Sequence, residues 1–236
     1  GRFKSAITSS IFQSKAGEMI DWQAQIDQAA SQLIDILRDN NYSISAAESC
    51  SGGLLAAGLT EAPGSSQWFA QSWVTYSIAA KQALGVSDHD LRFGVVSAEL
   101  AAALAHCARR QAQSDIGLSI SGNAGPSLAT PNSELGLVYF GVALGDSFAP
   151  LLKSKLVAEL AVEPLKQAWS ALLADSVIVH CLDPHRPQAP VQCIAPHGAL
   201  GFGLNFTGDR FQVRRVSVYT SLMFTHKLLA SFAAVC

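Results

Sequence analysis

The stretch Ala47-Glu48-Ser49-Cys50-Ser51-Gly52-Gly53 decides how this chain is read. Ser43–Ala47 ahead of it predicts a short strand, and Leu54–Thr60 behind it predicts a helix. A strand, a tight polar Gly-Gly loop and a helix form the layout in which α/β folds build small-molecule sites. A serine at such a turn can expose its hydroxyl. Backbone N–H groups at the helix N-terminus stabilise an anion there. The arrangement serves an oxyanion hole or a phosphate site. Taken alone, it suits a tight turn with a serine cap equally well.

Outward from this loop, helices and strands alternate. Residues 21–38 predict an amphipathic helix, with Trp22, Ile26, Ala29, Leu33, Ile34 and Leu37 at helical spacing, ended by Asp39-Asn40-Asn41. Residues 62–66 read as a loop, Trp68–Ser77 as a strand and Ala79–Leu84 as the start of a helix. Ser97 caps a helix through Gln111, with Leu100, Leu104 and Cys107 on its buried face. Ile116–Ser121 and Leu135–Leu144 predict strands, with a glycine-rich turn after the first. Pro150–Asp175 reads as a helix broken near Pro164, Val177–Leu182 as a strand, and Asp183–Gly203 as Pro- and Gly-rich connection. A last helix begins near Asp209 and runs to Phe232. The expected fold is α/β, a three-layer α/β/α sandwich around a central mixed or mostly parallel sheet.

Composition limits the function classes. The chain has 236 residues, 49% of them apolar and only 14% charged, which supports a sizeable core and argues against disorder. The 16 basic and 18 acidic residues give a formal charge of −2, so no basic excess points to nucleic acid or to a membrane surface. The low charge suggests surface buried between subunits, and a homo-oligomer is expected. No apolar run reaches the length of a membrane span. The cysteines Cys50, Cys107, Cys181, Cys193 and Cys236 are odd in number and form no framework; they read as reduced thiols of a cytoplasmic protein. Residues 1–18 read as a leader or an extension before Met19, and 19–236 as a single domain.

Two further segments carry polar chemistry. Val74-Thr75-Tyr76-Ser77-Ile78-Ala79-Ala80-Lys81 places Tyr76 at a strand's end and Lys81 in the first turns of the next helix. A lysine serves as a base when desolvation lowers its pKa, and a tyrosine can relay a proton or orient it. By spacing alone, an exposed helix lysine and a half-buried tyrosine fit better. Ser121-Gly122-Asn123-Ala124-Gly125-Pro126 lets backbone approach a ligand closely, and it also suits an ordinary turn.

Together these segments resemble the CinA C-terminal domain family. The matching text is AAESCSGG, EAPGSS, WVTYSIAAK, GVSDHDLRFGVVSAELA and SISGNAGP, resuming at Phe206-Thr207-Gly208-Asp209-Arg210 and Val213-Arg214. Several motifs in order are far more specific than any one. The resemblance implies a nicotinamide mononucleotide deamidase, which hydrolyses the nucleotide's carboxamide to the acid and ammonia. It implies Ser49 as nucleophile, Lys81 as general base and Tyr76 as an assisting proton carrier. It also implies Glu48, Cys50, Ser51, Gly52, Gly53 and Thr75 as substrate-binding residues, with backbone N–H groups around Cys50–Gly53 holding the oxyanion. Gly122, Asn123 and Gly125 would line the nucleotide and Arg210 would meet its phosphate. Ser51 is a rival nucleophile in the same turn. No metal or cofactor is required, and the expected partner is a small nucleotide substrate.

The chain departs from the family's text at three places. Ile78 stands where the family has Asn, Asn123 stands where it has Ile or Val, and Ser127–Leu137 lacks the Lys-Pro-Val-Gly-Thr ending. These changes keep a second reading open: a catalytically inactive nucleotide-binding or interaction module of the same fold. Residues 146–203 read as an atypical insertion. Within it, Cys181-Leu182-Asp183-Pro184-His185 and Cys193-Ile194-Ala195-Pro196-His197 repeat Cys-x-x-Pro-His. Two thiolates and two imidazoles can hold zinc. The spacing is not a common zinc signature, and two proline-rich turns are the expected reading.

Overall fold

A computed structural model describes residues 20–127, 134–148, 155–194 and 197–233. The expected leader at 1–18, most of the Ser127–Leu137 loop and the Ala195-Pro196 step of the second Cys-x-x-Pro-His lie outside the described residues.

The elements run α1 (Trp22–Asp39), β1 (Ile44–Glu48), α2 (Leu54–Thr60), β2 (Phe69–Val74), α3 (Ile78–Leu84), α4 (Asp88–Leu91), α5 (Ala98–Ala112), β3 (Ile116–Gly122), β4 (Leu137–Leu144), α6 (Lys155–Leu173), α7 (Ser176–Cys181), β5 (Ala189–Ile194), β6 (Ala199–Asn205) and α8 (Arg210–Ala233). The six strands form one sheet in the order β2-β1-β3-β4-β6-β5. β1 is parallel to β2 and to β3; the other pairings are antiparallel. The sheet is therefore mixed and not mostly parallel. Helices cover both faces, as the α/β expectation required. α1 and α8 pack together on one face, with α6 against α8; α5 lies across the other.

The local chemistry explains most elements. The Asp21 carboxylate accepts from the amides of Gln23 and Ala24 and starts α1. Ser97 caps α5 by accepting from the Leu100 amide at 3.1 Å. β1 is buried along its whole length, as a strand covered on both faces should be. Side chains of β3, β4 and β6 on one face meet α1, α6 and α8 through Leu118, Phe140, Phe202 and Phe224, all nearly or fully buried. On the other face, α5 approaches so closely that small residues line the contact and Gly141 and Gly201 have no room for a side chain. A methyl group on Gly141 would lie 2.2 Å from the Ala101 carbonyl oxygen, and one on Gly201 would lie 2.6 Å from that of Ala98.

That approach corrects the reading of Asp183–Gly203. Its glycines suggested turns, yet Ala199–Asn205 is the fully buried strand β6, whose Gly201 makes room for α5. With β5 beside it, the stretch expected to be an insertion supplies one edge of the central sheet. Val177–Leu182 is likewise not a strand. Asp175 accepts from the amides of Val177 and Ile178, and Ile178 and Cys181, one helical turn apart, enter the core as α7. The helix expected to break near Pro164 continues through it. Pro164, Ala168 and Leu172 form one buried stripe at four-residue spacing, and that packing overrides one missing backbone hydrogen bond.

The crossover from β1 to β2 carries α2 on the α1 face, where Leu55 and Leu59 join the core. The crossover from β2 to β3 carries α5 on the opposite face. The two connections thus lie on opposite faces of the sheet, and a crevice opens at the carboxyl ends of the parallel strands. The loops after β1, β2 and β3 meet there.

Candidate active site

The loop after β1 is built from below by Glu48. Its carboxylate is fully buried and accepts from the amides of Gly53 (3.0 Å), Leu55 (3.0 Å) and Ala56 (2.9 Å) and from the Ser72 hydroxyl (3.3 Å). Three donors at a helix N-terminus satisfy an anion well. Glu48 thus holds α2 under the site and does not line the crevice. Glu48→Gln is expected to lower stability in urea unfolding by about 1–3 kcal/mol while leaving substrate KM within about twofold. A raised KM at unchanged stability would assign it to substrate instead.

The same loop shows which of its serines is available. The Gly52 amide donates to the Ser49 carbonyl at 3.1 Å, closing a turn whose Gly52 has φ +61°. Ser49 lines a cleft of about 440 Å3. Ser51 is fully buried, its hydroxyl has no hydrogen-bond partner, and it does not line that cleft. Cys50 does line it, but burial pushes its thiol up to about 12 against its own backbone amide and the pull of Arg210 and Arg214. A protonated thiol is a poor nucleophile. The amides of Gly52 and Gly53 are committed to Ser49 and Glu48, so the turn's amides not engaged by backbone or side-chain oxygens are those of Cys50 and Ser51.

Lys81 reaches this loop from α3. Ser77 caps that helix by accepting from the Ala80 amide, which points Lys81 inward one turn later. The side chain is buried, with 2% of the residue exposed, so it is no surface lysine. Its ammonium nitrogen lies 3.4 Å from Ser49 Oγ and donates to the Thr75 carbonyl at 2.5 Å. Burial lowers its pKa, with a small opposing effect from Cys50. Thr75 itself is buried, its amide and hydroxyl both donating to the Glu48 carbonyl. It therefore fixes Lys81 through its carbonyl.

Tyr76 stands apart from this pair. It is 62% exposed, two residues beyond β2, and its hydroxyl meets Arg210 Nη2 at 3.2 Å. Arg210, the first residue of α8, also donates from Nη1 to the Gly125 carbonyl at 2.8 Å. Gly122, Asn123 and Gly125 line the cleft opposite Ser49. The Asn123 side-chain oxygen accepts from the Gly125 amide, which shapes the turn. The cleft thus gathers Ser49, Lys81, Tyr76, Arg210 and the Gly122–Gly125 turn. Glu48, Ser51, Gly52, Gly53 and Thr75 sit behind it as support.

Other residues were given no role by the sequence. Val95, Val96 and Ile78 form an apolar wall of the cleft. Ser121 lines it while donating to the Val95 carbonyl at 3.0 Å. Arg214, one turn along α8 from Arg210, donates to the carbonyls of Cys50 (2.9 Å) and Ser51 (2.8 Å). The i, i+4 spacing of two arginines beside a Gly-Asp motif was the available signal.

Of the Cys-x-x-Pro-His repeat, the Cys193 side chain and the Ala195-Pro196 step lie outside the described residues. Cys181 is buried in the core, with burial pushing its thiol to about 12. His197 instead meets the buried Asp90 carboxylate at 2.7 Å. Among the described residues no group of three His, Cys, Asp or Glu side chains could hold a metal ion. No helix among them is long and apolar enough to cross a membrane.

Known proteins share this arrangement of elements. A competence-damaged protein (CinA) superfamily protein from Klebsiella pneumoniae superposes with a TM-score of 0.63 over 87% of this chain and 98% of its own, at 20% identity. A competence/damage inducible protein from Agrobacterium tumefaciens gives 0.59 over 84% and 92%, at 24% identity. At that identity the likeness concerns the fold. In sequence, a CinA-like protein of Desulfovibrio desulfuricans is 37% identical over 162 residues, which is 68% of this chain and 37% of the relative. One from Geotalea uraniireducens is 44% identical over 113 residues, 47% of this chain and 27% of the relative. The chain spans only about a quarter to two fifths of the length of the curated relatives it matches. The sequence model of the CinA C-terminal domain matches residues 26–157, more than half of the 236, and takes in β1, the Ser49 turn, Lys81 and the Gly122–Gly125 turn. The chain belongs to the CinA C-terminal domain family.

Proposed function

We propose that the chain is a serine amidohydrolase that deamidates nicotinamide mononucleotide. The observation that carries the reading is the buried Lys81 nitrogen, 3.4 Å from Ser49 Oγ at the cleft that also receives Arg210. A neutral lysine amine donates one N–H to the Thr75 carbonyl and turns its lone pair to the serine hydroxyl. The 3.4 Å separation is long for a formed bond, as such contacts often are without substrate.

Ser49 Oγ attacks the carboxamide carbon and its proton passes to Lys81 Nζ. The tetrahedral oxyanion is received at the Cys50 amide, the free turn amide whose residue lines the cleft. Lys81 returns the proton to the leaving nitrogen, and ammonia departs, leaving an acyl-serine. Water, deprotonated by Lys81, then releases the nicotinate nucleotide and restores the serine. Tyr76 sits against Arg210 and not against Lys81, which favours a role in holding that arginine over proton relay. Arg210 presents its guanidinium at the cleft for the phosphate.

Arg210→Ala is expected to raise KM for the mononucleotide by roughly ten- to hundredfold, the value of a charged hydrogen bond of about 1.5–3 kcal/mol. It should change turnover of the phosphate-free riboside by less than about threefold. Equal losses on both substrates would remove the phosphate from Arg210. The reading as a whole is tested by ammonia release from nicotinamide mononucleotide, run beside free nicotinamide and glutamine.

A second reading is an inactive nucleotide-binding module. Ile78, apolar and 52% exposed at the cleft mouth, favours it. It requires that the mononucleotide raise the melting temperature of the chain with no ammonia formed.

A further inference from the structure

A second cavity, of about 460 Å3, lies beside α5 and shares no lining residue with the Ser49 cleft. α3 serves both: Ile78 and Lys81 line the cleft, while Leu84 and Gly85 at the helix end line the cavity. The volume falls within the range of small-molecule sites, about 300–1,000 Å3.

The polar wall comes from three elements. His106 and Arg110 stand one turn apart on α5, so both reach the same side of the helix. His197 arrives from the turn between β5 and β6, and its ring centre lies 5.2 Å from that of His106. Asp90 of α4 orients that ring. Its Oδ1 meets His197 Nε2 at 2.7 Å, and its Oδ2 accepts from the Ser87 amide (3.1 Å) and hydroxyl (2.6 Å). The carboxylate is thus satisfied, and it is only 5% exposed. Arg110 has no such partner: its guanidinium makes no ion pair and no hydrogen bond among the described residues. Cys107 is a neutral thiol, pushed to about 11 by burial, with Asp90 adding and Arg110 opposing. Burial lowers the pKa of His106, and the positive groups His197, Arg109 and Arg110 lower it further, against a hydrogen bond with the His197 backbone. The charge left uncompensated at His106 is therefore positive, and an anion there would offset it.

We propose that this cavity is a second ligand site, taking a phosphate monoester whose phosphate sits on Arg110, His106 and His197 and whose organic body lies against Leu84 and Gly85. A tetrahedral phosphate offers three oxygens, enough to accept from a guanidinium and two imidazoles at once; a planar carboxylate offers two. On binding, His106 takes a proton from solvent, which turns its remaining nitrogen into a donor. The site stands whether or not Ser49 is a nucleophile, because it uses none of the cleft's residues.

The test is NMR of the histidine rings in the whole chain, titrated with inorganic phosphate, ribose phosphate and succinate, each against chloride at matched ionic strength. Phosphate should shift the His106 and His197 resonances saturably and raise the titration midpoint of His106, because an adjacent anion favours the imidazolium. Ribose phosphate should do so at lower concentration, and succinate should bind more weakly than phosphate. His226, on α8 across the sheet, should not move. Arg110→Gln, a change at an exposed position, should weaken phosphate by roughly ten- to hundredfold, as expected for loss of a charge-assisted contact. It should leave basal ammonia release unaltered. Arg210→Ala, which alters the Ser49 cleft, should leave the His106 response in place. A His106 resonance that phosphate shifts no more than chloride does, an equal phosphate response in Arg110→Gln, or a response lost in Arg210→Ala overturns the proposal. Succinate binding as tightly as phosphate overturns the choice of a phosphate ester.

Discussion

Ser49→Ala should reduce ammonia release by about four orders of magnitude or more, the scale expected when a covalent nucleophile is removed. The mononucleotide should still bind, because Arg210, the Gly122–Gly125 turn and the apolar wall of Val95 and Val96 are all unaltered. Ligand-induced thermal stabilisation of the variant should therefore match that of the wild type. The structure makes the experiment selective. Ser51 cannot replace Ser49 without unfolding the turn, since it is fully buried and faces away from the cleft. Cys50, beside it, is held as a thiol by burial. Retention of more than about a tenth of the activity would move the nucleophile elsewhere.

Lys81→Met is the second large effect. Removing the base should cost about three orders of magnitude in kcat, toward the upper part of what general base catalysis contributes. The same variant should be more stable than the wild type at neutral pH, and the sign follows from burial. Desolvation lowers the pKa of Lys81 in the folded chain below that of an ordinary lysine. Between those two values the unfolded chain binds more protons than the folded one, so stability rises with pH across that window. Below the folded value the penalty for burying an ammonium is present in full. Methionine removes it and fills similar volume. Denaturant unfolding near neutral pH should show Lys81→Met with the higher midpoint, and the difference should shrink as pH rises toward that of an unburied lysine. In the wild type, kcat/KM should rise with pH through the lowered pKa, because the reactive form is the free amine. A midpoint below that of the wild type would mean that the contacts with Thr75 and Ser49 outweigh desolvation.

Much of this site is legible in the sequence because it is local. The strand–turn–helix around Ser49 needs only a short buried run, two glycines and an apolar helix behind them. Lys81 falls one turn inside a helix capped by Ser77, and that spacing carries it inward. What sequence could not supply is burial. Lys81 looks like a surface lysine until α3 is laid against α5 and its nitrogen reaches Ser49, and Glu48 looks like a cleft residue until its carboxylate is seen to hold three amides at the start of α2. Tyr76 is adjacent to the machinery in sequence but faces Arg210 in space, from a helix 134 positions away.

The fold shows the same division. Amphipathic α1 and serine-capped α5 follow their local signals. β6 does not, since its Gly201 is required by a helix that crosses it from far along the chain and its Gly203 by the Tyr139 ring of β4. α7 carries β-branched residues that read as a strand, and only the Asp175 cap and the packing of Ile178 and Cys181 settle it as helix. A mixed or mostly parallel sheet was expected of the alternating pattern; the strand order and the antiparallel remainder depend on long-range pairing that no local motif encodes.

The decisive assay measures ammonia and nicotinate mononucleotide together from nicotinamide mononucleotide, with wild type and Ser49→Ala side by side. The wild type should form both products in equimolar amounts, and the variant should stay at background. Bound mononucleotide with no ammonia from the wild type, or equal ammonia from both chains, would contradict the amidase reading.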